Sequence, residues 1–207
     1  MRVGFFGIAH LHADSYVSNV RAIAGVDLVG AADSDQGALA VWCDKFNVRA
    51  FGSCDELAAA GLDAVLVCSA NNEHLDHVRT AAAAGLHVLC EKPLATSGRD
   101  ALEIVEICDR AGVVLMTALP MRFSPAFIEM REQVQAGEIG EVSAAVGVNQ
   151  ARLPYGGESW FSDPVKAGGG AIMDHVVHLA DALRWILDDE ITEVYGCTNQ
   201  IIHPELS

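Results

Sequence analysis

The 207-residue chain is short of positive charge. Thirteen lysines and arginines stand against 28 aspartates and glutamates, for a formal net charge of −15. Nucleic-acid recognition through a general surface needs clustered Lys and Arg at the phosphates, so the composition argues against that function class. It argues equally against docking on anionic membranes. Long apolar runs are also missing: nothing approaches the ~20 residues of a transmembrane helix. The N-terminal MRVGFFGIAH is short for a signal peptide and reads as a first β-strand. The six cysteines (Cys43, Cys54, Cys68, Cys90, Cys108 and Cys197) are scattered, with no CxxC pair. They read as reduced core thiols of a cytoplasmic protein rather than a disulfide or zinc framework. What the chain does have is apolar residues, 51% against 20% charged, enough for a sizeable core and against disorder.

Strand and helix signals alternate through residues 1–118. Apolar runs at Arg2–Gly7, Val26–Ala32, Asp63–Cys68, His87–Cys90 and Val113–Thr117 predict strands. Helical spacing predicts helices over Ala13–Ala24, Gln36–Phe46, Leu57–Ala60, Glu73–Ala84 and Asp100–Ala111, with Ser53 and Ser97 as caps. Strands apolar throughout and separated by helices indicate a parallel sheet covered on both faces, a doubly wound α/β domain. After residue 118 the pattern changes. Ser124-Pro125 opens a helix to Ala136. Glu141–Gln150 and Ile191–Ile202 read as long strands. Leu153–Lys166 is a loop, and Gly168-Gly169-Gly170 precedes a helix through Leu187. The expected division is 1–118 and 119–207.

Three places carry chemistry. The turn after the first strand, Gly7-Ile8-Ala9-His10-Leu11-His12, keeps the first glycine of a dinucleotide fingerprint but has Ala9 and His12 where glycines would stand. Asp33 ends the second strand near the ~20-residue offset of a ribose-binding carboxylate. No Arg beside it could hold a 2′-phosphate, so NAD is favoured over NADP. The second place is Cys90-Glu91-Lys92-Pro93, where a lysine follows a buried strand and faces the crevice in which such sheets bind ligands. The third is Gly168–Asp181. Asp174 and His178 are four apart and would share a helix face, a carboxylate orienting a proton-exchanging imidazole. A solvated polar stripe is the plain alternative. A metal reading (Asp174, His178 and His175) lacks any HExxH-type signature, and no metal is expected.

Together these residues resemble a known family. Gly7–His12, Asp33, Ser69–His74 (SANNEH), Val88–Ala95 (VLCEKPLA), Met121–Pro125, Gly137–Val142 and Ala167–Trp185 occur in the order seen in the Gfo/Idh/MocA oxidoreductases. The resemblance covers essentially the whole chain. It implies a Rossmann domain followed by an α/β domain with an open, mostly antiparallel sheet. It also implies NAD(P)-dependent hydride transfer at a hydroxyl-bearing carbon of a sugar, polyol or related small molecule. Lys92, Asp174 and His178 match the family's catalytic positions, with His178 as general base. Gly7, Ala9, His10, Asp33, Ser69, Asn71, His74, Glu91 and Lys92 match its cofactor side. The resemblance further implies a homo-oligomer formed through the open sheet. NAD-assisted glycoside cleavage, or a dinucleotide-binding regulatory role without turnover, are the alternatives. Members of the family continue beyond this length, and two strands make a marginal sheet. The chain is therefore expected to be the N-terminal portion of a longer protein, its second domain incomplete.

Overall fold

The computed structural model describes residues 1–150 and 159–199. Strand β1 (Arg2–Phe6) leads to helix α1 (Ala13–Ala22), then β2 (Asp27–Ala32), α2 (Gln36–Phe46), β3 (Ala50–Phe51), α3 (Cys54–Ala58) and β4 (Ala64–Val67). Helix α4 (His74–Ala83), β5 (His87–Cys90), α5 (Gly98–Ala111) and β6 (Leu115–Thr117) complete the alternation. The strands form one parallel sheet in the order β3-β2-β1-β4-β5-β6. Only β3 escapes the sequence reading, because two residues carry no detectable period. Ser53 and Ser97 cap α3 and α5 as predicted, accepting from the backbone N–H groups of Glu56 and Asp100.

Period-2 alternation splits the strand side chains between two cores. Val3, Phe5, Leu66 and Cys68 face α1 and α2, meeting Val17, Leu39 and Trp42. Phe6, Val65, Val67, Val88 and Cys90 face the other layer, meeting Leu57, Val78, Ile104 and Cys108. Both faces of the sheet are thus covered, which is why its strands are apolar at nearly every position. All six cysteines are free thiols, and Cys43, Cys68, Cys90 and Cys108 are buried.

The chain divides into two compact units, Met1–Ala118 with Val165–Gly168, and Leu119–Pro164 with Gly169–Ser207. In the second unit, helix α6 (Pro125–Gln135) packs with α8 (Val177–Leu187). Arg131 donates to the Trp185 carbonyl and stacks over its ring, and Arg122 grips the buried Asp181 carboxylate through two nitrogens. A short helix α7 (Pro164–Ala167) precedes the three glycines.

The open antiparallel sheet expected for this unit is absent from the described residues. Glu141–Gln150 and residues 191–199 have no strand pairing, and 200–202 lie outside the described residues. A strand exists only through its ladder, and two segments of partial alternation supply no neighbours for each other here. Val146 and Tyr195 are accordingly 94% and 95% exposed. The expected oligomer contact through that sheet has no sheet to rest on among the described residues. No described helix is long and apolar enough to cross a membrane.

One prediction follows from the cores. Ile104 is completely buried in the α5 layer, so Ile104→Ala should cost about 2–5 kcal/mol; a urea midpoint within error of wild type would show that the cavity closes.

Three imidazoles of the first unit, the buried His10 and His74 and the half-buried His77, are held below the usual histidine range. Burial is the main cause in each: His10 falls to about 4, His77 to about 4, and His74 is lowered. The unfolded chain takes up protons at these positions below about pH 6.5, whereas the folded chain does not. Their stabilisation is therefore complete above pH ~6.5 and drains away as pH falls toward ~4. Unfolding free energy measured in urea should drop by about 2 kcal/mol between pH 7.5 and 5.5. A flat profile across that window would mean that these imidazoles are not kept neutral.

Candidate functional site

Parallel pairing brings the carboxyl ends of all six strands to one edge of the sheet, and the order reverses beside β1. Ligands of doubly wound sheets bind at such a switch point. Gly7 follows β1 with φ +79°, and a Cβ there would lie 2.5 Å from the Ser69 backbone, so only glycine serves. The turn is pinned by Gly7 N donating to the Ala32 carbonyl and His10 N to the Cys68 carbonyl. Asp33, just past β2, accepts from Ile8 N through Oδ2 and from Asp35 N through Oδ1, each at 2.8 Å. The carboxylate thus shapes the turn after β1 and keeps lone pairs for a further donor. Helix α1 starts after His12 with no side chain capping it.

Past β4, Ser69 is fully buried, its Oγ 2.9 Å from His77 Nδ1. Asn71 donates to the Ala167 carbonyl at 2.8 Å and so fastens the returning 165–168 segment to the first unit. Its Oδ1 is a buried acceptor with no hydrogen-bond partner among the described residues. His74 Nδ1 lies 3.1 Å from the Pro93 carbonyl, so this imidazole supports the turn that carries Lys92.

The densest polar cluster gathers at the end of β5. Glu91 is 1% exposed. Its Oε1 receives the Tyr16 hydroxyl at 2.6 Å and lies 2.9 Å from His12 Nδ1, while Oε2 accepts from Lys92 N. Burial alone would raise this carboxyl; the His12 hydrogen bond, the nearby His10 and the Tyr16 hydroxyl outweigh it and hold it well below the carboxylate range. The same neighbourhood pushes the Tyr16 hydroxyl far above its usual range, by burial first and then the Glu91 charge. Lys92 is 5% exposed.

In the second unit, Asp174 and His175 lie in a π-helical turn, Ile172–Val176, and His178 is the second residue of α8. Asp174 Oδ2 sits 3.5 Å from His175 Nδ1. Asp181, read as part of the same polar stripe, is the partner of Arg122.

Sequence reasoning did not find Tyr16 or the Arg122–Asp181 pair. Tyr16 had a signal, since it stands four residues after His12 at the start of a helix. Arg122 had none, because its partner is 59 residues away.

A family description, oxidoreductase family with an NAD-binding Rossmann fold, matches residues 1–119, and the GFO/IDH/MocA C-terminal domain matches residues 127–206. Inositol 2-dehydrogenase 3 of Saccharopolyspora erythraea is 35% identical over 206 residues, covering 99% of this chain and 57% of that protein. D-xylose 1-dehydrogenase (NADP(+)) 2 of Haloferax volcanii is 35% identical over 189 residues, covering 90% and 57%. The crystal structure of the WlbA dehydrogenase from Bordetella pertussis in complex with NADH and UDP-GlcNAcA superimposes with a TM-score of 0.81 at 26% identity, covering 90% of this chain and 57% of that one. The chain thus spans somewhat under 60% of the length of these relatives. With both domain descriptions matched in order along the chain, it belongs to the Gfo/Idh/MocA family of NAD-binding oxidoreductases.

Proposed function

We propose that this protein transfers a hydride between NAD and a hydroxyl-bearing carbon of a sugar, polyol or related small molecule. The observation that supports the reading most is Lys92, a lysine 5% exposed at the carboxyl end of β5, two strands from the switch point. An ammonium at this edge can hydrogen-bond a substrate hydroxyl and favour its alkoxide form as the C–H bond weakens. His178 takes the hydroxyl proton as general base, and Asp174 supports it. These two roles come from the match to the family's motif.

The residues of the first unit fit a dinucleotide. The Gly7 turn, with Ala9 and His10, and the uncapped start of α1 suit the phosphates. Asp33 suits a ribose hydroxyl and opposes a 2′-phosphate. Ser69, Asn71 and His74 line the nicotinamide side, and the unsatisfied Asn71 Oδ1 fits a ligand N–H donor. Glu91 stands beside them and fixes the Lys92 backbone. When bound, the nicotinamide supplies the hydride acceptor or donor.

Two expected outcomes test the reading. NAD⁺ should bind at least about tenfold more tightly than NADP⁺, because a carboxylate and a phosphate within ~4 Å repel by ~1–4 kcal/mol. Asp33→Asn keeps an acceptor for Ile8 N and should narrow that ratio. Fluorescence titration that finds NADP⁺ the tighter ligand would remove Asp33 from the specificity role. In the active enzyme, His178→Ala and Lys92→Ala should each lower kcat by ~10²–10⁴-fold while the NAD⁺ Kd changes little. Wild-type kcat in either variant would exclude that residue, and tight NAD⁺ binding without turnover of any polyol or sugar would favour a regulatory role.

A further inference from the structure

We infer that the segment Val165–Gly168 is a latch whose closure on the first unit and dinucleotide binding at the nicotinamide side favour each other, with Gly168 as its positioning residue. The inference rests on the dinucleotide reading above. Residues 119–164 separate the segment from the rest of the first unit, yet it packs there. Asn71 Nδ2 donates to the Ala167 carbonyl at 2.8 Å, and Asn71 and Ala167 are each 4% exposed. Gly168 lies against Thr96. A Cβ on Gly168 would stand 2.6 Å from the Thr96 Cβ and Cγ2 and 3.0 Å from its Cα. Its φ is +79°, so both the seat and the backbone demand glycine.

A third contact is electrostatic. Burial raises the Glu73 carboxyl and the Asp33 charge adds to the rise, while the Lys166 charge opposes both. Asn71 follows β4 and Thr96 follows β5, so the latch spans the loops beyond two neighbouring strands. The three consecutive glycines are therefore not equivalent. Gly168 is pressed against Thr96, whereas a Cβ at Gly170 would meet nothing within 4 Å.

The coupling comes from the two ends of one amide. Asn71 Nδ2 is engaged by Ala167, while Oδ1, in the same rigid plane, is buried with no hydrogen-bond partner among the described residues. A buried acceptor left unpaired is costly, and a ligand N–H removes that cost. The carboxamide of a nicotinamide carries such donors. With the latch closed, Asn71 is held in one orientation and its Oδ1 waits for the ligand. With the latch open, the amide is free to turn and meet water, so the ligand gains less. A closed latch thus raises the affinity for the ligand, and a bound ligand holds the latch closed by the same factor. An amide that accepts at oxygen is also the better donor at nitrogen, which strengthens the bond to Ala167.

The test is limited trypsin digestion of the whole chain with and without saturating NAD⁺, the fragments identified by mass. Lys166 is exposed and Ala167 is buried, so cleavage between them requires the latch to open. The cleavage rate then follows the open population. Arg110, in the last turn of α5, is the internal reference. NAD⁺ should slow cleavage after Lys166 by about fivefold or more, the lower end of ordinary coupling, and leave cleavage after Arg110 unchanged. Gly168→Ala should speed cleavage after Lys166 and weaken NAD⁺ binding, read by fluorescence, by up to the same factor. Gly170→Ala should change neither. The wild-type digest decides the matter even where Gly168→Ala fails to fold. A wild-type chain that binds NAD⁺ without slowing at Lys166, or with equal slowing at both sites, overturns the latch and leaves the dinucleotide reading standing. Wild-type cleavage and affinity in Gly168→Ala overturn it as well. A wild-type chain that binds no NAD⁺ overturns the dinucleotide reading and the coupling with it.

Discussion

Parallel pairing is the constraint on which the rest of the first unit depends. Strands that run the same way cannot be joined by tight turns, so each needs a crossover, and the crossovers here are helices laid on both faces. This forces every strand to be apolar on both sides, as Val3, Phe5 and Phe6 or Leu66 and Val67 illustrate. It also delivers all the carboxyl ends to one edge. Gly7, Asp33, Ser69 and Glu91 lie far apart in the chain but end adjacent strands of the sheet. The chemistry of the unit is a consequence of the direction of its ladder.

At that edge, one buried carboxylate ties the elements together. Glu91 links the end of β5 to α1 through Tyr16 and to the first turn through His12. A charge so deeply buried is tolerable only because three donors address it, and removing any one would leave it under-compensated. The departure from the glycine fingerprint becomes intelligible in this setting. A glycine at position 12 allows close helix packing; the histidine there supplies a partner for Glu91 instead. Asp33 likewise ties the turn after β1 to the end of β2, its two oxygens accepting from Ile8 N and Asp35 N.

The second unit obeys a different balance. Its helices are held by specific polar fastenings, the Arg122 fork on Asp181 and the Arg131 contacts with Trp185. Its extended segments expose Val146, Val148, Val194 and Tyr195 and contribute no ladder among the described residues. The π-turn under Asp174 and His175 is a local departure of the kind that recurs at functional positions.

Sequence alone determined the elements of the first unit apart from β3, because strand and helix periods are local. The boundaries of α2 and β5 and the caps Ser53 and Ser97 were all legible in short windows. It also determined the family resemblance, through motifs read in order. It misjudged Glu141–Gln150, since alternating apolar residues announce a face to be covered but cannot supply the neighbour that makes a strand. It did not announce the π-turn that carries Asp174 and His175, since nothing local marks one. Only the tertiary structure decided that Tyr16 and His12 converge on Glu91, that Arg122 belongs to Asp181, and that Asn71 holds the 165–168 segment. Those pairings join residues 59 to 96 positions apart. Their partners are chosen by where crossovers return the chain, and no local period encodes that choice.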